Sequence, residues 1–364
     1  MAAPADYWQR VDLADTANGG NTVLNRTGDN VREDFMNAIY NIAPTDTPFM
    51  SGIGRASMSD SYTSWLQDTL AEPNDGNAAL DGADLSPETL SRGRRVGNVA
   101  QISRKELIVT GRSDTVDKAG RANEMSYQLA KASKALKRDM EVILTGNQSA
   151  LPDLDGDTAP LLGSLRACFR DGVSPEATTA LTAADGANGG VQTDGMPDAA
   201  TAGTARAFSQ TLLDTCIEAC YTNGGSPSTI MVSPAMKRVI SSYLFTSSAR
   251  VAALYSDVGQ PRGDGGATAQ GSVDIYISDF GQMKIVPNRF LGYTQAAGAP
   301  ADDVYVLDMG MWATMYLRSF RTITVAPTGD AQKRLLLTDY SLMYREEMAS
   351  GVIADIDSTT PMVA

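Results

Sequence analysis

Between positions 120 and 147 apolar residues recur at steps of four or three: Met125, Leu129, Ala132, Leu136, Met140 and Ile143. Steps of that size draw one stripe along a helix. Lys131, Lys134, Lys137, Arg138 and Glu141 occupy much of the remaining surface, so this helix should lie on something rather than inside it. At ~1.5 Å per residue it would run roughly 40 Å, the span of a whole domain. Gly146 and Asn147 tolerate a left-handed cap and end it. A period of two closes the chain. Residues 313–326 and 333–346 read as two long strands joined by the turn TGDAQ. Ile323 and Val325 alternate on one, and Tyr340, Leu342 and Tyr344 on the other. That pair offers a surface long enough to receive the helix.

Residues 1–29 are polar, rich in Asn, Asp, Gly and Thr, and read as an arm without its own core. NVREDFMNAIYNIAP then predicts a short helix, capped by Asn30 with Glu33 and stopped by Pro44. Residues 62–70, with Trp65, and 94–104 read as a strand and its returning mate. The connection between them is too polar and glycine-rich to bury anything. Connections of that length are uncommon in a compact domain unless they are functional or disordered, and a lone two-stranded ribbon is marginal in water. Its charges are segregated. Asp60, Asp68, Glu72, Asp75, Asp81, Asp84 and Glu88 precede Arg92, Arg94, Arg95, Arg104 and Lys105. The pattern reads either as a solvated, flexible loop or as a projecting hairpin that docks on another subunit, with opposite charges setting its register.

Residues 106–111 (ELIVTG) predict a short strand before the long helix. After it come an acidic turn and a segment, 171–203, of Ala, Gly, Thr and Asp that reads as a variable surface excursion. Asp153, Asp155 and Asp157 miss the EF-hand pattern, because Gly156 is misplaced and no Glu closes the loop. Residues 206–310 then alternate helix and strand. Ser209 should cap a helix stapled by Phe208 and Leu213 and ended by Asn223-Gly224-Gly225. Ser233-Pro234 should open another, with Met236, Val239, Ile240, Tyr243 and Leu244 as its stripe. TIMV, VDIYIS, MKIVP and VYVLD are strands of a mixed sheet. The glycine-rich loop 260–271 lacks the Gly-Lys-Ser/Thr ending of a phosphate cradle.

Composition narrows the chemistry. The chain of 364 residues is 43% hydrophobic, as folded proteins are, but carries a formal charge of −13 and no histidine. The charge argues against a surface built to grip phosphates, and the missing histidine removes the commonest general base and metal ligand. A carboxylate-dependent enzyme would have to use Asp153, Asp155 and Asp157 or the loop around Asp264, and neither forms a convergent constellation. Neither a cofactor nor a metal is expected. Cys168, Cys216 and Cys220 have no zinc-ligand spacing and read as buried thiols. No apolar run is long enough for a signal peptide or a membrane span, so a soluble protein made in a cytoplasm is expected.

Several stretches resemble one family. YNIAPTDTPFMSGIGR (40–55), the GR…E…YQLAK…LKRDME core of the helix, and SDFGQMKIVPNRFLG (278–292) are three of them. YLRSF (316–320) and TGDAQKRLLLTDYSLMYREEMASGVIADI (328–356) complete the set. Together they are similar to major capsid proteins of tailed bacteriophages with the Hong Kong 97-type (HK-97-like) fold, nearest the SU-10-like group. The resemblance implies an α+β chain with an arm and short helix (1–50), an extended hairpin loop (51–111) and a peripheral domain with a spine helix (112–165). A variable surface segment (166–205), an axial α/β domain (206–310) and the peripheral domain's long strands (311–364) would follow.

It also implies a shell of hexamers and pentamers of this chain around double-stranded DNA, without sequence-specific binding and without a membrane. A separate scaffolding protein, a portal and a cement or decoration protein would be its partners, in a virion assembled in a host bacterial cytoplasm. An encapsulin-like compartment is the alternative, disfavoured by the arm and the phage-like motifs. Some such shells are cross-linked through a loop lysine. The first lysine here is Lys105, so that link cannot form from the loop. The intersubunit contact candidates are Trp65, Asp68, Glu72, Arg92, Arg94, Arg95 and Arg104.

Overall fold

In a computed structural model the long amphipathic segment is a helix over Glu124–Thr145, opened by Asn123, whose side chain accepts from Ser126 N at 2.9 Å. The structure describes residues 43–68, 70, 73–78, 80–82, 84, 93–116, 123–153, 156–169, 180–182, 189–192, 194–246, 273–291 and 302–359. The expected arm, the helix after Asn30 up to position 42 and the loop 260–271 lie outside them. In chain order the first described elements are α1 (Pro48–Gly52), β1 (Gly54–Ser57), β2 (Tyr62–Gln67), β3 (Arg94–Val99), β4 (Gln101–Thr110), α2 (Gly111–Thr115) and α3 (Glu124–Thr145). Next come α4 (Leu165–Cys168), β5 (Ala180–Thr182), β6 (Gly190–Val191), β7 (Pro197–Asp198), α5 (Gln210–Thr222), β8 (Thr229–Val232) and α6 (Pro234–Thr246). Strands β9 (Ile275–Ser278), β10 (Gly281–Pro287), β11 (Val304–Leu307), β12 (Trp312–Val325), β13 (Ala331–Tyr344) and β14 (Gly351–Ile353) finish it.

The helix differs from its sequence pattern in three ways. With 22 residues it spans about 33 Å. Gly146 ends it in extended backbone, φ −76° and ψ −165°, with its N–H returned to Ile143 O, so the expected left-handed cap is replaced by a tightened last turn. Met125, Ala132, Leu136 and Met140 are buried as expected, but Leu144 is buried more deeply than Ile143, and Glu141 is fully buried rather than on the outer surface.

The helix finds its surface on a four-stranded sheet ordered β1-β12-β13-β4. Strands β12 and β13 pair antiparallel, from Trp312 opposite Tyr344 to Val325 opposite Lys333. Ala132 and Leu136 pack on Leu336 of β13, Leu107 of β4 and Phe320 of β12. The third strand is the difference. Ala100 interrupts what the sequence offers as one run, so β3 stays with β2 while β4 swings over to pair along β13. The short strand expected at 106–111 is the far half of this longer one, and Arg104 sits in the sheet rather than on the hairpin.

A second sheet runs β5-β14-β11-β8-β10-β9. Its helices start as the capping residues dictate. Ser209 accepts from Leu212 N with Phe208 and Leu213 buried, Ser233 accepts from Met236 N, and Gly224 takes the left-handed turn at φ +83°. Strand β14 comes from the far end of the chain, so this sheet is not confined to 206–310. One face packs Ile230, Val232, Met283, Ile285, Val304 and Val306 under α5 and α6. On the other, Met231, Tyr305, Leu307 and Val352 merge with Trp312, Tyr340, Tyr344, Met140 and Leu144 into one core that joins both sheets.

Part of the expected surface excursion is internal. Cys168, Phe169 and Val191 lie in that joint core, and Gly97 N donates to Gly195 O at 2.9 Å. Cys216 and Cys220 are also buried, and none of the three cysteines is in a disulfide.

Candidate assembly interface

Strands β2 and β3 pair antiparallel from Tyr62 opposite Val99 to Gln67 opposite Arg94. The base of this hairpin is fastened to its own subunit. Trp65 donates its indole N–H to Tyr344 O at 2.8 Å and meets the Tyr344 ring edge-on at 5.0 Å. Gln67 Nε2 donates to Arg345 O at 2.9 Å and to Glu347 Oε2 at 2.8 Å. Arg94 donates to Gln67 Oε1 and pairs with Glu347, whose side chain is 3% exposed. Burial, and the Glu347 carboxylate beside it, raise the pKa of Glu346 above the usual carboxylate range.

Past Gln67 the picture reverses. The described positions between Asp68 and Gly93 are exposed, with Leu70 at 98% and Leu80 at 85%. The described tip positions therefore present polar, acidic and apolar groups to the outside.

The contact candidates separate accordingly. Trp65 and Arg94 have partners within the chain. Asp68 is exposed, and so is Arg95, whose Nε donates to Ser64 Oγ at 3.0 Å. Arg104 lies on β4 with Nε 3.4 Å from Glu106 Oε1. Glu72 and Arg92 lie outside the described residues.

Two buried polar groups escaped the sequence reading. Glu141 accepts from Phe49 N at 2.8 Å, Met50 N at 2.9 Å and Asn288 Nδ2 at 2.8 Å. Burial raises its pKa while those three bonds oppose the rise, and the carboxylate ties α3 to α1 and to the end of β10. Lying about 60° round the helix from Leu144, outside the apolar stripe, it gave no signal in the sequence. Arg166 Nε meets Asp303 Oδ2 at 3.0 Å, both buried, and Asp303 Oδ1 accepts from Asp355 N at 3.2 Å. Burial outweighs the Arg166 cation and pushes Asp303 up to about 6. Asp355 itself adopts φ 59° and accepts from Gly203 N at 2.7 Å.

Nothing among the described residues converges on a substrate. No group of three His, Cys, Asp or Glu there could hold a metal ion, and Asp153 caps its own turn by accepting from Gly156 N. Asp155 lies outside the described residues. No described helix is long and apolar enough to cross a membrane.

Comparison with known proteins agrees. The profile described as SU10 major capsid protein matches residues 15–357. A major capsid protein of Escherichia phage Phieco32 is 26% identical over 341 residues, covering 88% of this chain and 92% of that protein. The capsid asymmetric unit of cyanophage A-1(L) superposes with a TM-score of 0.57 at 14% identity, covering 92% of this chain and 99% of that one. The capsid of a native GTA particle does so at 0.54 and 10% identity, covering 94% and 99%. At these identities the two structures speak for the fold alone, the Hong Kong 97-type α+β fold. With nearly the whole chain inside the family profile, the chain belongs to the SU10 major capsid protein family, the shell proteins of tailed phages.

Proposed function

We propose that copies of this chain form hexamers and pentamers of an icosahedral shell around double-stranded DNA, each gripping the next through the β2–β3 hairpin. One observation carries this reading: the hairpin is fastened at its base by Trp65, Gln67 and Arg94, and the described positions of its tip are all exposed. A ribbon that is marginal by itself gains stability only from another surface, and a second copy supplies one. Exposed Asp68 and Arg95 would set the register there, and Arg104, on β4, belongs to the same subunit's outer surface.

The net charge of −13 suits a container that confines DNA without adhering to it. Lys105, the first lysine, is committed to Asp139 of α3, which favours a shell held by non-covalent contacts and a cement protein. A separate scaffolding protein and a portal complete the proposal. The shell would be built in the host cytoplasm and have no catalytic role.

The test is expression together with the neighbouring open reading frames, followed by negative-stain microscopy. Shells, capsomers or tubes are expected. A stable monomer that turns over a substrate would overturn the proposal.

A further inference from the structure

Strand β4 is ten residues long and, among the described residues, pairs only with β13, so its other edge is open. Long exposed edges invite pairing with another chain, and proteins usually blunt them with proline, a bulge or inward charges. The region 101–110 contains no proline. Helix α3 does not shut the edge either. It reaches inward as far as Phe320 on β12, two strands away, with Lys137 Nζ 6.0 Å from that ring.

The face of β4 turned away from α3 reads Ile102, Arg104, Glu106, Ile108. The isoleucines are 50% and 63% exposed, and the two charged side chains 68% and 63%. This order is complementary to its own reverse. Laid antiparallel on a second β4 about an axis through residue 105, Ile102 faces Ile108 and Arg104 faces Glu106, each twice. Residues directly opposite across antiparallel strands stabilise the pair when both are apolar or oppositely charged.

Neighbouring registers fail. An axis through residue 104 sets two arginines against each other, and one through 106 sets two glutamates. On the α3 side the chosen register brings two copies of Lys105 face to face. Each is already neutralised by Asp139 of its own chain.

We infer that β4 is a self-complementary edge that pairs antiparallel with β4 of a second copy across a two-fold axis, joining two four-stranded sheets into one. This rests on the shell reading. A ten-residue strand pair buries far less than the roughly 1,200 Å² of a stable interface. The contact therefore forms when other contacts hold the two copies together, and free subunits do not dimerise through it.

The test begins with wild-type shells seen by microscopy, whose absence would refute the shell reading itself. Shells are then co-assembled from Arg104→Cys and Glu106→Cys chains and mildly oxidised. Cys168, Cys216 and Cys220 are buried and stay silent. A disulfide-linked dimer several-fold stronger in mixed shells than in shells of either variant alone is expected. Intact shells without that excess overturn the pairing and leave the shell reading standing. If the variants do not assemble, hydrogen exchange in the wild type decides. The β4 amides left unpaired by β13 should slow at least tenfold on assembly, and unchanged exchange overturns the pairing. Slowing in shells whose cysteine variants assemble but do not link would mean another segment covers the edge, which also overturns it.

Discussion

Glu141 Oε1 holds the backbone N–H of Phe49 at 2.8 Å, and Oε2 holds the next N–H, that of Met50, at 2.9 Å. Pro48 opens α1, so these amides belong to its first turn and have no partner within the helix. A buried carboxylate with bonds on both oxygens is stabilising only while every donor is in place. In Glu141→Gln the new amide would point a donor at one of these N–H groups. A loss of about 1–3 kcal/mol is expected, read as a lower melting temperature of unassembled subunits. An unchanged melting temperature would show that the carboxylate is dispensable.

The buried Arg166–Asp303 pair predicts a pH dependence. The pKa of Asp303 is about 6 in the folded chain, against an ordinary value of 3.8. A raised folded pKa contributes stability that is fully present below the unfolded value and is lost as pH rises through the folded one. The stability of the wild type relative to Asp303→Asn should therefore improve as pH falls from 7 towards 4. Urea melts of both chains across that range measure it, and a flat difference counts against the assignment. Arg166→Met should lower stability by about 3–5 kcal/mol, because it leaves a buried carboxylate without its cation.

The two neighbouring arginines of β3 should behave differently. Arg94 pairs with the buried Glu347, whereas Arg95 is exposed and donates to Ser64. Arg94→Glu places like charges together and should lower subunit stability by about 1–3 kcal/mol, the partial exposure of Arg94 limiting the effect. Arg95→Glu should leave the monomer's circular dichroism and melting within about 0.5 kcal/mol of wild type and reduce shell yield. Normal yield and salt resistance in Arg95→Glu would show that this charge does not set the contact.

Gly195 tests the tucked segment. Its φ is +82°, and a Cβ there would come within 2.5 Å of Arg95 O. Gly195→Ala should destabilise by about 1–3 kcal/mol and speed exchange of the Gly97 amide that bonds to Gly195 O. Unchanged exchange would mean that this contact is loose.

Much of the fold was legible because it is written in local chemistry. Ser209, Ser233 and Gly224 mark helix ends through their own side chains or lack of one, and the alternation of Tyr340, Leu342 and Tyr344 marks a strand, although Asp339 and Ser341 on its other face are buried as well. What escaped depends on distant partners. Glu141 looks like any solvated helix glutamate until residues 49, 50 and 288 converge on it. The split at Ala100 is invisible because residues 94–110 are strand-like throughout, and only the competition between β2 and β13 as partners divides them. Residues 189–200 were misread because small residues look like surface. Gly195 and Ala200 are small where they must fit close against β3 and Asn147. For the hairpin, the sequence conveyed that it lacks support, and the structure located where the support begins, at Trp65 and Gln67.

The joint core has a mechanical consequence. Trp312, Tyr344 and Met140 pack in the same cluster as Met231, Tyr305 and Val352, so no soft seam divides the two sheets. Close-packed interiors compress little and transmit strain. A subunit of this kind behaves as a single stiff tile, and a shell loaded from within would yield at the joints between tiles before any tile gives way.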